Sequence, residues 1–447
     1  MIPPRPQSGD AKGTLPRLIR AFRHDLLSGL PQRLYRGWMA EYRNPLIHSF
    51  FCNDPALIRL ILQERPGDFP KSARLAEGLR PLLGHGVFIT NGAAWARQRR
   101  IIDPAFERGR LRQTFPAIWD AAGAMVDRLP TGEIDIEPQC SHGAADVIFR
   151  ALFSMPIEHG IAAEVFAAFR AHQAAQPLVN LAALLPLPRW LPRPHSRRTR
   201  QTAARIRALI RDLVHARLAA IAAGTAPDDL ATKIMTTPDP ETGGTFDASE
   251  MIDQVAVFFL AGHETGAAAL AWALWLLAGN PDWQDRVAAE GASLTPDFSA
   301  ASRLPATRAV FREAMRLYPP VPMMVREAAR PETFRGRPVP PGAQLVVSPW
   351  HLHRHERLWD RPDAFDPARW QTEEGKSSAR ESYLPFSAGP RACPGAGMAM
   401  LEGVVMLARI AAAFRLSPGS AEPVPIARLT VRGRDGILIR LQRRHQS

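Results

Sequence analysis

The sequence predicts a mainly α-helical protein with small β-sheets. Three observations carry that expectation. Apolar residues recur at three- and four-residue steps over long stretches. Strand-like runs are few and short, and there is no internal repeat. The chain has 447 residues, 46% of them hydrophobic, enough to bury a large core. One domain over 1–447 is expected, with about 1–30 as a partly ordered extension.

Helical periodicity is clearest in 53–66, 112–129, 199–224 and 399–414. A further apolar stretch, Val255 to Gly279, reaches membrane-spanning length. Its middle carries His263, Glu264 and Thr265, and charge at a bilayer centre is costly. It therefore predicts a long helix through a soluble core, capped by Asp247 or Ser249 and stopped by "GNP" at 279–281. Strands are expected in 342–350 and 436–441, with an N-terminal pair near 44–52. Turn-rich segments run over 176–195 and from about Pro319 to Pro394.

The net charge is +13, almost all of it from arginine. Such a balance suits a solvated basic surface or a face that docks an acidic partner. No dense basic run with interleaved aromatics supports nucleic-acid binding. The N-terminus has no apolar core of the signal-peptide kind, so neither a leader nor a transmembrane anchor is expected. Cys52, Cys140 and Cys393 are far apart, with no CxxC pair, which disfavours a disulfide framework or zinc ribbon. A reducing, cytoplasmic location fits best.

Among them Cys393 stands out. It lies in "FSAGPRACPG", 386–395, where Gly389 and Gly395 free the backbone while Pro390 and Pro394 stiffen it. That loop holds one thiol in one place. In "FREAMRLYPP", Glu313 and Arg316 share a helix face, and the abrupt stop suggests a packed helix end. A buried pair would need further partners, and Arg369 in "FDPARW" is the candidate. His351 and His355 have i,i+4 spacing, but they follow an apolar strand and are read as structural.

In combination, ExxR, the 353–370 segment and FxxGxRxCxG closely resemble the cytochrome P-450 family of haem-thiolate monooxygenases, in its bacterial soluble form. The resemblance spans roughly residues 30 to 440. It implies a fold with haem b sandwiched between the long central helix and the Cys393 loop. Cys393 would be the axial iron ligand, its thiolate electron-rich enough to favour O–O cleavage. Phe386 and Gly395 stand at family positions of that loop. Arg391, Trp95, Arg99 and Arg326 match the haem-propionate partners, and Glu313, Arg316 and Arg369 the structural triad. "AGHET" matches the oxygen-side motif: Gly262 would leave room for dioxygen, Glu264 and Thr265 would be the acid–alcohol proton relay, and His263 would be structural. "FDPARW" departs from the common pattern at its Ala and Trp, but Arg369 is kept.

The resemblance further implies O2 as co-substrate, with electrons from NAD(P)H arriving through an acidic ferredoxin-type donor. The substrate would be a small apolar organic molecule and the protein a monomer. Pocket walls would come from about 74–92 and 163–190, from Phe258, Phe259 and Ala261, from Val321, Met323 and Met324, and from Asp435–Ile437. The Pro-rich stretch 176–195 is expected to form a lid rather than touch a membrane. A peroxide-driven peroxygenase and a haem-based sensor are the alternatives; the intact acid–alcohol pair speaks against both.

Overall fold

The computed structural model describes residues 1–6, 25–43, 48–175 and 195–444. Short helices α1 (Pro55–Arg59), α2 (Ala73–Leu83) and α3 (Gly92–Ile102) precede the long α4 (Arg108–Arg128), α5 (Glu137–Phe153) and α6 (Gly160–Ala175). Then come α7 (Arg197–Ala222), α8 (Leu230–Thr236), the central α9 (Ala248–Ala278), α10 (Pro281–Ala292) and α11 (Pro305–Leu317). The last three are α12 (Pro349–Leu352), α13 (Glu373–Ser382) and α14 (Ala396–Ala413).

The helical periods predicted from sequence all form helices. The segment 53–66 is split, because α1 continues as a π-helical turn over Leu60–Glu64. Asp247 caps α9: it accepts the Glu250 N–H at 2.8 Å while Glu250 accepts the Asp247 N–H at 3.1 Å. Gly279 ends the helix as expected. Both α9 and α14 are long and apolar enough to cross a membrane, yet each buries most of its apolar length against other helices. On α9, Phe259 closes an aromatic cluster with Phe149, Phe153 and Phe169.

The sheets are small. β1 (Met39–Arg43), β2 (His48–Cys52), β7 (Gln344–Val347) and β4 (Met324–Glu327) form one sheet in that order. The expected N-terminal pair is therefore real but starts earlier, at Met39, and residues 44–47 lie outside the described residues. β3 (Gly132–Asp135), β11 (Leu438–Arg443) and β8 (Phe414–Pro418) form the second sheet. Two hairpins complete the set, β5 (Glu332–Phe334) with β6 (Arg337–Val339), and β9 (Pro425–Ala427) with β10 (Val431–Gly433).

Within the expected N-terminal extension, residues 1–6 pack on the fold. The Tyr318 hydroxyl donates to the Pro4 carbonyl at 2.8 Å, and the Phe365 N–H to the Met1 carbonyl at 3.0 Å. Residues 7–24, like 176–194 of the expected lid, lie outside the described residues.

Candidate active site

The Cys393 loop is held from three sides. Its own backbone closes the turn, with the Cys393 N–H donating to the Phe386 carbonyl at 2.9 Å. Gly389 has φ +70°, and a Cβ there would sit 2.0 Å from the Leu62 carbonyl oxygen, so only glycine fits. Phe386 packs its half-buried ring on the main core. Gly395 departs from the expectation: its φ is −81°, and an added Cβ would meet only ordinary contacts, 3.9 Å from Cys393 Sγ and Phe106 Cε1. Its lack of a side chain keeps the space beside the sulfur clear.

Cys393 itself is accessible, unlike the buried Cys52 and Cys140. The surrounding protein nevertheless desolvates the thiol and pushes its pKa up. The Gly395 N–H and the Arg99 charge oppose that shift. Helix α14 starts three residues on, at Ala396, so its positive end lies at the loop.

The triad assembles as expected. Arg316 grips Glu313 with a two-point contact, Nε to Oε2 at 2.9 Å and Nη2 to Oε1 at 2.8 Å. Arg369 Nε reaches Glu313 Oε1 at 3.0 Å. All three are buried, so their desolvation needs further partners. The carbonyls of His353, Pro362 and Ala364 accept from Arg316, and that of Asp360 from Arg369. The same chain of contacts reaches the loop: burial pushes His353 down to about 3, and its neutral Nε2 accepts the Leu384 N–H at 2.8 Å. His351 is likewise buried, with Nδ1 2.8 Å from the Ser348 hydroxyl.

Beside the loop lies a cluster of cations. Arg391 stacks over Trp95 at 4.5 Å and donates to Asn91 Oδ1 at 2.8 Å. Arg99 donates to the Ala392 carbonyl at 2.8 Å and also pairs with Asp103. Arg326, buried on β4, finds only the Val325 carbonyl among the described residues, at 3.3 Å. Sequence reasoning missed two members, Lys71 and Asn91. Lys71 Nζ donates to the Val87 carbonyl at 2.7 Å, and its backbone bridges to Arg326. Asn91 Oδ1 also accepts the Lys71 N–H at 3.0 Å, tying this group together. The available signal was weak: Lys71 is one of four lysines in an arginine-rich chain. Burial and the like charges of Arg391, Arg326 and Arg99 push Lys71 well below the usual lysine range. Burial and Arg391 lower Arg326 to about 10.

From Met251 to Ala278, α9 is buried except at Ala261, Gly262, Thr265 and Gly266, one open turn. Phe106 links this helix to the loop: its ring lies 5.8 Å from that of Phe258, and it flanks Gly395. The structure places the three residues expected to act here as follows. A Cβ on Gly262 would lie 2.4 Å from Ile148 Cδ1, so the missing side chain leaves room for that side-chain tip from α5. Thr265 does not meet Glu264; its hydroxyl donates to the Ala261 carbonyl at 2.5 Å, the back-bonding open to any helical threonine. Glu264 instead accepts a short hydrogen bond from the Gln173 amide of α6. Burial raises the Glu264 pKa, with Arg432 and Gln173 opposing.

His263 is structural, as expected: it is buried with Nε2 2.7 Å from the Ser141 hydroxyl, and burial lowers it to about 3. Glu402 on α14, which sequence reasoning passed over, would lie 3.0 Å from a Cβ on Gly266. Burial pushes its carboxyl up to about 8.

The expected pocket walls divide. Phe258 and Ala261 border the open turn, Met323 packs against the main core, and Val321 is half-buried. Met324, the next residue along an extended chain, turns to the opposite side and packs on the small sheet cluster. Phe259 is committed to its aromatic cluster. Neither lines the open turn.

A thiol on a braced loop, an open turn of core helix nearby, and four cations of which only Arg99 has a carboxylate partner among the described residues define a site for a flat, dianionic cofactor. The cation cluster is the test of fit, since so much like charge gathered around buried Arg326 calls for an anion. The comparisons agree. The sequence model of the cytochrome P-450 family matches residues 32–439. Cyclooctatin synthase of Streptomyces melanosporofaciens is 33% identical, over 89% of this chain and 91% of its own length. Cyclooctat-9-en-7-ol 5-monooxygenase of the same organism is 31% identical, over 93% of this chain and 91% of its own. A cytokinin hydroxylase of Arabidopsis thaliana is 28% identical, over 91% and 82%. This chain belongs to the cytochrome P-450 family and is a monooxygenase with haem and O2 chemistry.

Proposed function

We propose that the protein inserts one oxygen atom from O2 into a largely hydrocarbon molecule, with electrons from a separate acidic ferredoxin-type partner fed by NAD(P)H. The observation that carries the site assignment is the accessible Cys393 thiol beside an anion-seeking cluster of Lys71, Arg99, Arg326 and Arg391. Haem would supply the oxygen-activating chemistry, with Cys393 as its thiolate ligand. The four cations and Trp95 would hold its two carboxylates, and the Glu313, Arg316 and Arg369 triad would fix the loop's position. Glu264 would supply a proton and Thr265 would pass it on, once their present hydrogen bonds are exchanged.

Support for an apolar substrate comes from Phe258, Ala261, Phe106 and Met323, which present no charge. One relative's name places its reaction at carbon 5 of an unsaturated alcohol, cyclooctat-9-en-7-ol. A hydrocarbon bearing few polar groups is the corresponding substrate class here. The net charge of +13 supports an acidic electron donor.

The test is the absorbance difference between the reduced protein with and without carbon monoxide. A strongly red-shifted Soret band that disappears in Cys393→His is the expected result. An unshifted band in the native protein would remove Cys393 as the ligand.

A further inference from the structure

From the end of α3 to the first turn of α4, the chain runs along the Cys393 loop and meets it at three places. Arg99 Nη1 donates to the carbonyl of Ala392, the residue before the thiol, at 2.8 Å. Phe106 reaches Gly395, two residues after it. A Cβ on Gly395 would lie 3.9 Å from Phe106 Cε1 and equally 3.9 Å from Cys393 Sγ. Leu111, in the first turn of α4, packs on Gly397 so closely that a Cβ there would come within 2.8 Å of its Cδ1. Ring and sulfur therefore border the same small gap, the place of the side chain that Gly395 lacks.

The connection is itself anchored. One short helical turn, Asp103–Phe106, presents the ring, and Asp103 pairs with Arg99 at 2.6 Å. Arg100 holds the buried Asp239 with two contacts, at 2.5 and 3.0 Å. Arg97 meets Glu250, in the first turn of α9, at 2.5 Å. The Phe106 ring also packs on Phe258 of α9, with centroids 5.8 Å apart, so the core helix and the loop fix it together. Phe106 is half-buried and brings no hydrogen-bond donor to the sulfur.

We propose that Phe106 is a positioning residue of the thiolate ligand, its ring covering the Cys393 sulfur against water on the side of the α3–α4 connection. The inference rests on the assignment of Cys393 as the haem ligand. Hydrogen bonds and solvent at a ligand sulfur draw electron density away from the metal and raise its reduction potential. A dry, donor-free wall keeps that density on iron. The triad fixes where the loop stands; Phe106 fixes what the sulfur meets there.

The experiment compares Phe106→Leu and Phe106→Asn, similar in size and opposite in polarity, in the haem-loaded protein. The midpoint potential is measured by spectroelectrochemistry, and the decay of the red-shifted carbon monoxide band is followed in sub-denaturing urea. Phe106→Leu should stay near native in both. Phe106→Asn should raise the reduced-to-oxidised ratio at the native midpoint about tenfold, ~59 mV for one electron, and speed the decay several-fold. Potentials and decay rates that match in the two variants overturn the proposal, since the ring would then serve packing alone. Should Phe106→Asn fail to fold, Phe106→Val and Phe106→Thr, matched in shape, decide by the same comparison. A native protein without the red-shifted band overturns instead the assignment of Cys393.

Discussion

At the scale of single residues, what the sequence concealed is mostly what tertiary contact creates. Cys393, its glycine-flanked loop and the Glu313–Arg316–Arg369 triad were legible because local spacing encodes them. Lys71, Asn91 and Gln173 were not, since nothing near them in the chain reveals their distant partners. Lys71 illustrates the cost of a site prepared for an anion. Without the cofactor it is a half-buried cation facing three arginines. Lys71→Met should therefore stabilise the cofactor-free protein while weakening the loaded one. Losing one hydrogen bond to a charged group, ~2 kcal/mol, should speed haem release on the order of thirtyfold. Transfer of haem to an acceptor globin measures the second effect, and urea unfolding of the apoprotein the first. Equal destabilisation of both forms would mean that Lys71 serves packing alone.

Elements were predicted better than their faces. Periodicity located α4, α7, α9 and α14, whose apolar stripes must be buried somewhere. It could not say which stripe meets which neighbour, because rotation about a helix axis is set by the partners. Hence the approach of Ile148 to Gly262 was not foreseen, and Met324 falls on the far side of its strand. Gly262→Ala should lower stability by about 1–3 kcal/mol through overpacking between α9 and α5. In an Ile148→Ala background that added cost should largely vanish, since the removed carbons are those that would clash, even though Ile148→Ala carries its own cavity penalty. A double-mutant cycle by chemical unfolding checks the coupling, and strict additivity would reject the contact.

At the scale of the whole molecule, the first six residues are joined to segments some three hundred positions on. Residues 1–6 bind Tyr318 beyond α11 and Phe365 beside the triad's carbonyl ring, and Arg5 pairs with Asp363 at 2.9 Å. Removing these six residues deletes the two hydrogen bonds to carbonyls, worth about 1 kcal/mol each, and the exposed Arg5–Asp363 pair. The unfolding midpoint should fall accordingly, with the carbon monoxide spectrum intact in the fraction that stays folded. An unchanged midpoint would show that the segment rests on the surface without contributing stability. That the N-terminus docks here was not legible, because "IPPRP" has neither helical nor strand periodicity.

One feature of α9 bears on how such a protein diversifies. Along its core length the helix offers one open turn, Ala261 to Gly266, and commits nearly everything else to neighbours. Two of the four open positions are glycines already hemmed in by Ile148 and Glu402. Substitutions along this helix would mostly disturb packing before they altered what is bound. If Val321 and Met323 wall the site as proposed, new substrate preferences would arise there more readily than along the long helix.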